Sequence, residues 1–188
     1  ELDAPAPFFE KIRDYPPGYR IFGAPTATHR RMAIAMGLKP DITARQLQDE
    51  FEKRMQRPVK PLLVKKGPCK ENILIGKEVD LYSFPAPMVH EGDGGRYIGT
   101  WDTIVTYDPN SDWTNWGMYR VMVHKKDTVS IALHTGNQGG KIFYENYAPQ
   151  NKPMPVAIVI GPDPLSGVIS ATRIEAGLSE VEFAGALQ

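Results

Sequence analysis

The sequence predicts a mixed α+β protein built from short elements, and three observations lead to this class. Two segments with helical periodicity lie within the first 56 residues. From residue 99 onward, apolar and polar residues alternate in several segments as they do in strands. Glycine and proline each occur 17 times in 188 residues, so turns are too frequent for a helical bundle.

The bulk composition excludes several classes of partner and site. Basic and acidic residues both number 22, and the resulting net charge of zero gives no electrostatic reason for a nucleic-acid or anionic-membrane partner. No apolar run approaches the roughly 20 residues needed to cross a bilayer. The single cysteine, Cys69, excludes an internal disulfide and a multi-cysteine metal site, and we expect a cytoplasmic location. Because the sequence starts abruptly and stops inside a predicted helix, we expect a piece of a longer polypeptide.

The first 75 residues predict a small α/β unit. Its predicted elements are a helix at 29–37, a helix at 41–56, a strand-like segment at 57–67, and a short strand, turn and loop at 71–87. Asp41 or Thr43 can cap the second helix, because a short polar side chain there accepts a hydrogen bond from a free backbone N–H.

The remainder predicts mainly strands, with helices near the end. The predicted elements are a glycine-rich loop at 90–100, a strand at 99–109, a hairpin of "MYRVMVH" and "TVSIALH" around "KKD", a helix at 139–153 ended by Pro149, a buried strand at 154–164, and helices at 164–172 and 178–187. Ser179 is expected to cap the last helix, and Glu182, three residues on, would complete a capping box.

Arg120 raises the first question about chemistry, because it lies within the apolar and aromatic stretch "NWGMYRVMV". A buried guanidinium needs an anionic partner. The partner is either a bound carboxylate or phosphate or an internal acidic residue; alternatively, Arg120 is simply exposed at an edge. Asn115 reaches the same side of the strand only if Gly117 carries a bulge, and otherwise Asn115 is a turn residue.

Two further segments are candidates for ligand binding. The glycines of "LHTGNQGGK" leave backbone N–H groups free for an anion, with Lys141 at the start of a helix, although a tight structural turn explains the same pattern. His134 in this segment reads as structural. Glu180 and Glu182 lie in a first helical turn, where they either compensate the helix dipole or offer a carboxylate to a cation, with Asn115 and Gln138 as further oxygen ligands.

These motifs occur in an order that resembles the UbiD-like decarboxylases. The resemblance rests on "GTWDTIVTYDP", "NWGMYRVMV", "PMPVAIVIGPDP" and above all "LSEVEFAGAL", and it is strongest from about residue 95 to the end. It implies prenylated flavin mononucleotide (prFMN) as cofactor, with a divalent metal (Mn²⁺ or Mg²⁺) on the flavin phosphate and K⁺ nearby. By this resemblance, the metal ligands are Asn115, Gln138 and Glu180; many members carry His where this chain has Gln138.

The resemblance also implies the remaining site residues. Arg120 matches the family arginine that contacts the substrate carboxylate and the flavin. The implied flavin contacts, besides the metal ligands and Arg120, are Thr100, Met118, Tyr119, Asn137, Ser170, Ala171 and Thr172. A family glutamate pair that handles the proton would follow beyond Gln188, so we expect the isolated chain to be inactive.

The fold and function implied by the resemblance follow from these assignments. Residues 1–75 would be the remainder of an N-terminal α/β domain, and residues 76–188 an incomplete flavin-binding split β-barrel. The implied reaction is the reversible non-oxidative decarboxylation of a small aromatic, heteroaromatic or α,β-unsaturated acid by a homo-oligomer, with other carboxylase subunits as possible partners. The alternatives are a split-barrel flavin reductase or flavin carrier, and a non-catalytic subunit of a multi-chain carboxylase.

Overall fold

The computed structural model describes residues 5–188 and shows a mixture of helices and antiparallel strands, which confirms the α+β class. The strands are β1 (Phe8–Phe9), β2 (Ile21–Phe22), β3 (Tyr97–Gly99), β4 (Asp102–Tyr107), β5 (Thr114–Gly117), β6 (Val121–Lys125), β7 (Thr128–Ile131) and β8 (Val156–Ile160). The helices are α1 (His29–Ala35), α2 (Ala44–Met55), α3 (Gln138–Ile142), α4 (Pro164–Ala171) and α5 (Glu180–Leu187).

The strands after residue 95 form two three-stranded antiparallel sheets. In one sheet β4 lies between β5 and β8, and in the other β6 lies between β3 and β7. The pairing of β6 with β7 confirms the predicted hairpin. Across the described residues the two sheets do not close into a barrel, so the split-barrel description stays a proposal.

A helical layer covers the sheet that contains β4. Its buried core comes from both ends of the chain and consists of Ala33, Met36, Leu47, Leu165, Ile169, Ala184 and Leu187. Thr43 caps α2 in a reciprocal capping box with Gln46, as one of the two predicted caps required. Because this core joins helices from before and after residue 75, it does not by itself mark the predicted domain boundary, which remains a prediction.

Three predictions about strands were wrong. Residues 57–67 and 71–75 contain no strand, and Leu62 and Leu63 are 86% and 97% exposed. An extended apolar segment becomes a strand only when a neighbouring strand accepts its backbone groups, and the described residues supply none here. The strand at 154–164 exists as β8, but it is an exposed edge strand and not a buried one, because it pairs with β4 alone.

The predicted helix at 139–153 begins one residue earlier and changes its winding along its length. α3 continues into a π-helical segment, Phe143–Tyr147, and then into a 3₁₀ turn, Ala148–Gln150, that contains Pro149. No helix in the described part of the chain has the length and apolar content to cross a bilayer.

Candidate functional site

Strand pairing places Asn115 in the interior of the protein. β4 and β5 are in register with Thr106 opposite Asn115, whose side chain is only 1% exposed. The Asn115 amide nitrogen donates to Thr106 Oγ1 at 3.0 Å and to the Tyr119 hydroxyl at 3.4 Å. Asn115 is therefore a strand residue and not a turn residue, and its carbonyl oxygen is left without a hydrogen-bond donor among the described residues.

Glu180 is the first residue of α5 and is also 1% exposed. One of its carboxylate oxygens accepts a hydrogen bond from the Trp116 backbone N–H at 2.8 Å. Burial raises the pKa of the Glu180 carboxyl, and the Trp116 N–H partly opposes this shift. The carboxylate is thus held against β5 at the residue that follows Asn115, and both side chains line the cavity described below.

The predicted capping of α5 by the Ser179 side chain was wrong. Ser179 Oγ accepts instead from the Thr114 backbone N–H at 3.2 Å. β5 is an edge strand, so its outward N–H groups at Thr114 and Trp116 need partners, and Ser179 and Glu180 supply them. The Ser179 hydroxyl therefore pairs with an N–H group of the strand edge and not with an N–H group of its own helix.

The third predicted ligand, Gln138, is the first residue of α3. Its amide nitrogen donates to the Ile174 carbonyl at 2.8 Å, which leaves its amide oxygen free of donors among the described residues. Asn137 caps α3 by accepting from the Gly140 N–H at 2.7 Å. Gly136 N–H donates to His134 Nδ1 at 3.1 Å, so His134 supports the loop.

One cavity of about 1250 Å³ brings most of the predicted site residues together. Its lining includes nine of them: Asn115, Met118, Tyr119, Asn137, Gln138, Ser170, Ala171, Thr172 and Glu180. Their convergence is notable because the chain between Asn115 and Glu180 runs through β6, β7, α3, β8 and α4 before returning to β5.

Two predicted site residues lie outside the cavity lining. Thr100 is exposed in the turn before β4, and Arg120 is exposed in the connection between β5 and β6. Arg120 is thus not in a strand interior, and the described residues form no ion pair with it. Of the alternatives for Arg120, an internal acidic partner is not found in residues 5–188. Glu182 faces a separate cavity of about 410 Å³.

Sequence reasoning missed two residues at this site. Thr106 bonds Asn115, but only the β4–β5 register reveals that the two are opposite each other. Arg173 lines the cavity, as does Lys141, and both are exposed cations. Arg173 could have been predicted as a site residue, because it directly follows the predicted flavin contacts at 170–172.

Comparisons with known proteins identify the family of this chain. Residues 62–188 match the family model of the 3-octaprenyl-4-hydroxybenzoate carboxy-lyase Rift-related domain, UbiD, and residues 1–51 match the N-terminal domain of the same carboxy-lyase. The chain belongs to the UbiD family. The predicted resemblance to UbiD-like decarboxylases is confirmed.

Individual UbiD relatives match along nearly the whole chain. The pyrrole-2-carboxylic acid decarboxylase of Pseudomonas aeruginosa is 34% identical, with 100% of this chain and 39% of that protein covered. The vanillic acid decarboxylase of Sedimentibacter hydroxybenzoicus in its closed form superposes with a TM-score of 0.89 at 34% identity, covering 98% of this chain and 39% of that one.

A third UbiD relative was solved with a flavin. It is an evolved dimeric form of the UbiD-class enzyme HmfF from Pelotomaculum thermopropionicum in complex with prFMN, with a TM-score of 0.82, 25% identity, and coverage of 96% of this chain and 41% of that one. The chain thus spans 39–41% of the length of these three relatives.

Proposed function

We propose that this chain carries the prFMN and metal site of a decarboxylase acting on a small aromatic, heteroaromatic or α,β-unsaturated carboxylic acid. The observation that carries the proposal is the convergence of Asn115, Gln138 and Glu180 on one cavity, each with an oxygen that no other described residue occupies. Support for the reaction class comes from relatives that are aromatic-acid decarboxylases and from a UbiD-class enzyme in complex with prFMN.

The three oxygens fit a hard divalent cation such as Mn²⁺ or Mg²⁺. Two neutral amide oxygens and one carboxylate are ligands that these ions prefer, and no cluster of three His, Cys, Asp or Glu residues competes for a metal within the described range. Burial of Glu180 disfavours its charge, and a cation beside it offsets that cost. Asn115, Gln138 and Glu180 would hold this metal, which would neutralise charge on the flavin phosphate, and K⁺ would be a further cation of the site.

The chain's own residues bind and orient, while the cofactor supplies the reactive centre. When bound, prFMN provides the acceptor for the electrons that departing CO₂ leaves on carbon. Met118 and Tyr119, together with the C-terminal end of α4 at 170–172, provide contact surface for the flavin. Arg120, adjacent to this lining and free of ion pairs with described residues, holds the substrate carboxylate.

The wider architecture belongs to the same proposal. The two antiparallel sheets would be parts of a split β-barrel within residues 76–188, and residues 1–75 part of an N-terminal domain. The complete protein would act as a homo-oligomer in the cytoplasm, with other carboxylase subunits as candidate partners.

The test uses the complete natural protein, produced together with a source of prFMN. The visible absorption spectrum and the mass of the co-purified cofactor should identify prFMN, and CO₂ should be released from an aromatic acid. Turnover of NAD(P)H with unmodified FMN, and no CO₂ release, would instead indicate a flavin reductase.

Arg120→Ala separates an enzyme from a non-catalytic subunit. We expect CO₂ release to be lost while prFMN is retained, because Arg120 holds the substrate and not the phosphate. Unchanged CO₂ release in this variant would support a structural role for the chain. Lys126→Ala, an exposed residue in the β6–β7 turn, serves as the matched control.

A further inference from the structure

Both N–H groups of the Asn115 amide donate to hydroxyl oxygens. The amide group has two N–H bonds, and these point to Thr106 Oγ1 at 3.0 Å and to the Tyr119 hydroxyl at 3.4 Å. With both donors engaged and the side chain 1% exposed, only the carbonyl oxygen remains to face the cavity. A half-turn of the amide would present N–H groups to the cavity, and an N–H cannot ligate a cation. The two hydroxyl contacts are partners of the present orientation, in which the oxygen faces the cavity.

Tyr119 is itself held in a fixed position. Its hydroxyl accepts from the Gly139 backbone N–H at 3.1 Å, in the first turn of α3. Its ring lies so close to two glycines that a Cβ at Gly117 would approach it to 2.2 Å and a Cβ at Gly139 to 2.9 Å. Only glycine at both positions leaves room for this ring, so the hydroxyl is placed by packing as well as by hydrogen bonding.

The Tyr119 hydroxyl also connects two of the three candidate ligands. It contacts Asn115 on β5 and the residue that follows Gln138 on α3. The distance between the two amide oxygens therefore depends on a side chain that donates no atom to the metal.

We infer that Thr106 and Tyr119 are positioning residues that lock Asn115 with its carbonyl oxygen toward a bound cation. This inference rests on the proposed metal site. Hydroxyl groups of this kind act on the ligand and not on the metal, and they raise affinity by removing the misoriented state of the ligand.

The experiment is Mn²⁺ binding to the complete natural protein, measured from the electron paramagnetic resonance signal of free Mn²⁺. Thr106→Val keeps the shape of the side chain and removes the acceptor, and we expect affinity to fall by about 10-fold or more, the range for groups that orient metal ligands. Thr106→Ser keeps the acceptor and should restore affinity. Tyr119→Phe should weaken binding less than Thr106→Val, because its bond to the amide is longer.

Thr103→Val is the matched control. Thr103 lies on the same strand and is equally buried, but its hydroxyl bonds Ser170 Oγ at 2.7 Å and not Asn115. Its Mn²⁺ affinity should match the wild type. Equal losses in the Thr103 and Thr106 variants would overturn the inference, and so would unchanged affinity in Thr106→Val.

A second readout does not depend on metal. The side-chain NH₂ hydrogens of Asn115, observed by NMR, should exchange slowly with water in the wild type and faster in Thr106→Val, since one of their acceptors is removed. If the wild type fails to bind Mn²⁺, the proposed metal site is wrong, while this exchange rate still decides whether the two hydroxyls lock the amide. An exchange rate identical in both proteins would exclude the lock.

Discussion

Two buried carboxylates in this protein have opposite surroundings. Glu180 is 1% exposed, accepts a hydrogen bond from Trp116 N–H, and lines the large cavity. Asp102, at the start of β4, is 0% exposed, and both of its carboxylate oxygens lack a partner outside their own residue in the described part of the chain. The neighbouring Trp101 indole N–H is also unpaired there.

Burial raises the pKa of both carboxyls, but the consequences differ. Burying a charge costs free energy unless a donor or a cation compensates it. Glu180 has a donor on one side and a cavity on the other, through which a cation can reach it. Asp102 has no donor from another described residue and is 0% exposed, and its carboxyl pKa is raised to about 6. The comparison of Glu180 with Asp102 shows that a carboxyl with a raised pKa indicates a ligand site only where a ligand can reach it.

The largest expected effect is that of Glu180→Gln on metal binding. The substitution keeps an oxygen that can accept from the Trp116 N–H. It removes the only charged oxygen among the three candidate metal ligands. Mn²⁺ affinity should fall by more than the roughly 100-fold upper range of changes to groups that merely orient ligands. Titration of free Mn²⁺ measures this, and Glu182→Gln, which changes a residue of the separate cavity, should bind as the wild type does.

The pH dependence of Mn²⁺ binding sharpens the same point. Because the pKa of Glu180 is raised above its ordinary value of 4.5, protons should compete with Mn²⁺ at a higher pH than they would for an exposed glutamate. Affinity should therefore decline on acidification before pH 4.5 is reached. The pH dependence of Mn²⁺ affinity should change in Glu180→Gln and not in Asp102→Asn. Equal changes in the two variants would contradict the contrast between the two carboxylates.

Asp102→Asn should stabilise the protein at neutral pH. The folded pKa of about 6 lies above the unfolded value of 3.8, so this carboxyl costs nothing below pH 3.8 and destabilises progressively as pH rises toward 6. The substitution should add about 1–3 kcal/mol to the free energy of unfolding at pH 7, or roughly 2–10 °C in Tm.

Thermal unfolding at pH 7 and at pH 3.5 measures this effect. The gain should shrink at the lower pH, because Asp102 is then neutral in the folded protein and mostly neutral in the unfolded chain. Asp41→Asn, an exposed aspartate before α2, should change Tm at neither pH. A gain that is equal at both pH values would show that charge burial is not the cause.

A smaller effect is expected from the cations that share the cavity with Glu180. Arg173→Gln should weaken binding of FMN by about 10-fold, equivalent to about 1.4 kcal/mol, because an exposed guanidinium contributes modestly to a phosphate contact. Riboflavin, which lacks the phosphate, should bind the variant and the wild type alike. Equal weakening for both flavins, measured by fluorescence quenching, would indicate a general loss of cavity shape.

The smallest expected effect is that of Ser179→Ala. It removes the acceptor of the Thr114 N–H at the edge of β5 while the Glu180 contact to Trp116 remains. Loss of one such bond should cost about 1 kcal/mol of unfolding free energy, measured by urea denaturation.

The sequence was a good guide where structure is set locally. The cap and capping box at Thr43, the β6–β7 hairpin and the helices at both ends depend on residues within a few positions of one another. The motif order led to the UbiD family, and most of the residues that it implied line one cavity.

The failures have long-range causes. Residues 57–67 and the burial of β8 depend on which strands lie beside them, which the local pattern does not encode. Ser179 satisfies every local rule for a cap, yet its hydroxyl oxygen accepts a hydrogen bond from the backbone N–H of Thr114, 65 positions earlier. Thr106 was missed for the same reason, because the sequence of β4 does not show which residue of β5 pairs with it.

The core shared by α1, α2, α4 and α5 has a consequence for the integrity of the molecule. Leu47 near the beginning and Leu187 at the end stabilise each other within one apolar cluster. A protease that nicks the exposed stretch around Leu62 and Leu63 should therefore yield two fragments that stay associated and melt together in a single endotherm. The helices α1 and α2 therefore share a core with α5, the helix that positions Glu180, and all three should unfold at one temperature.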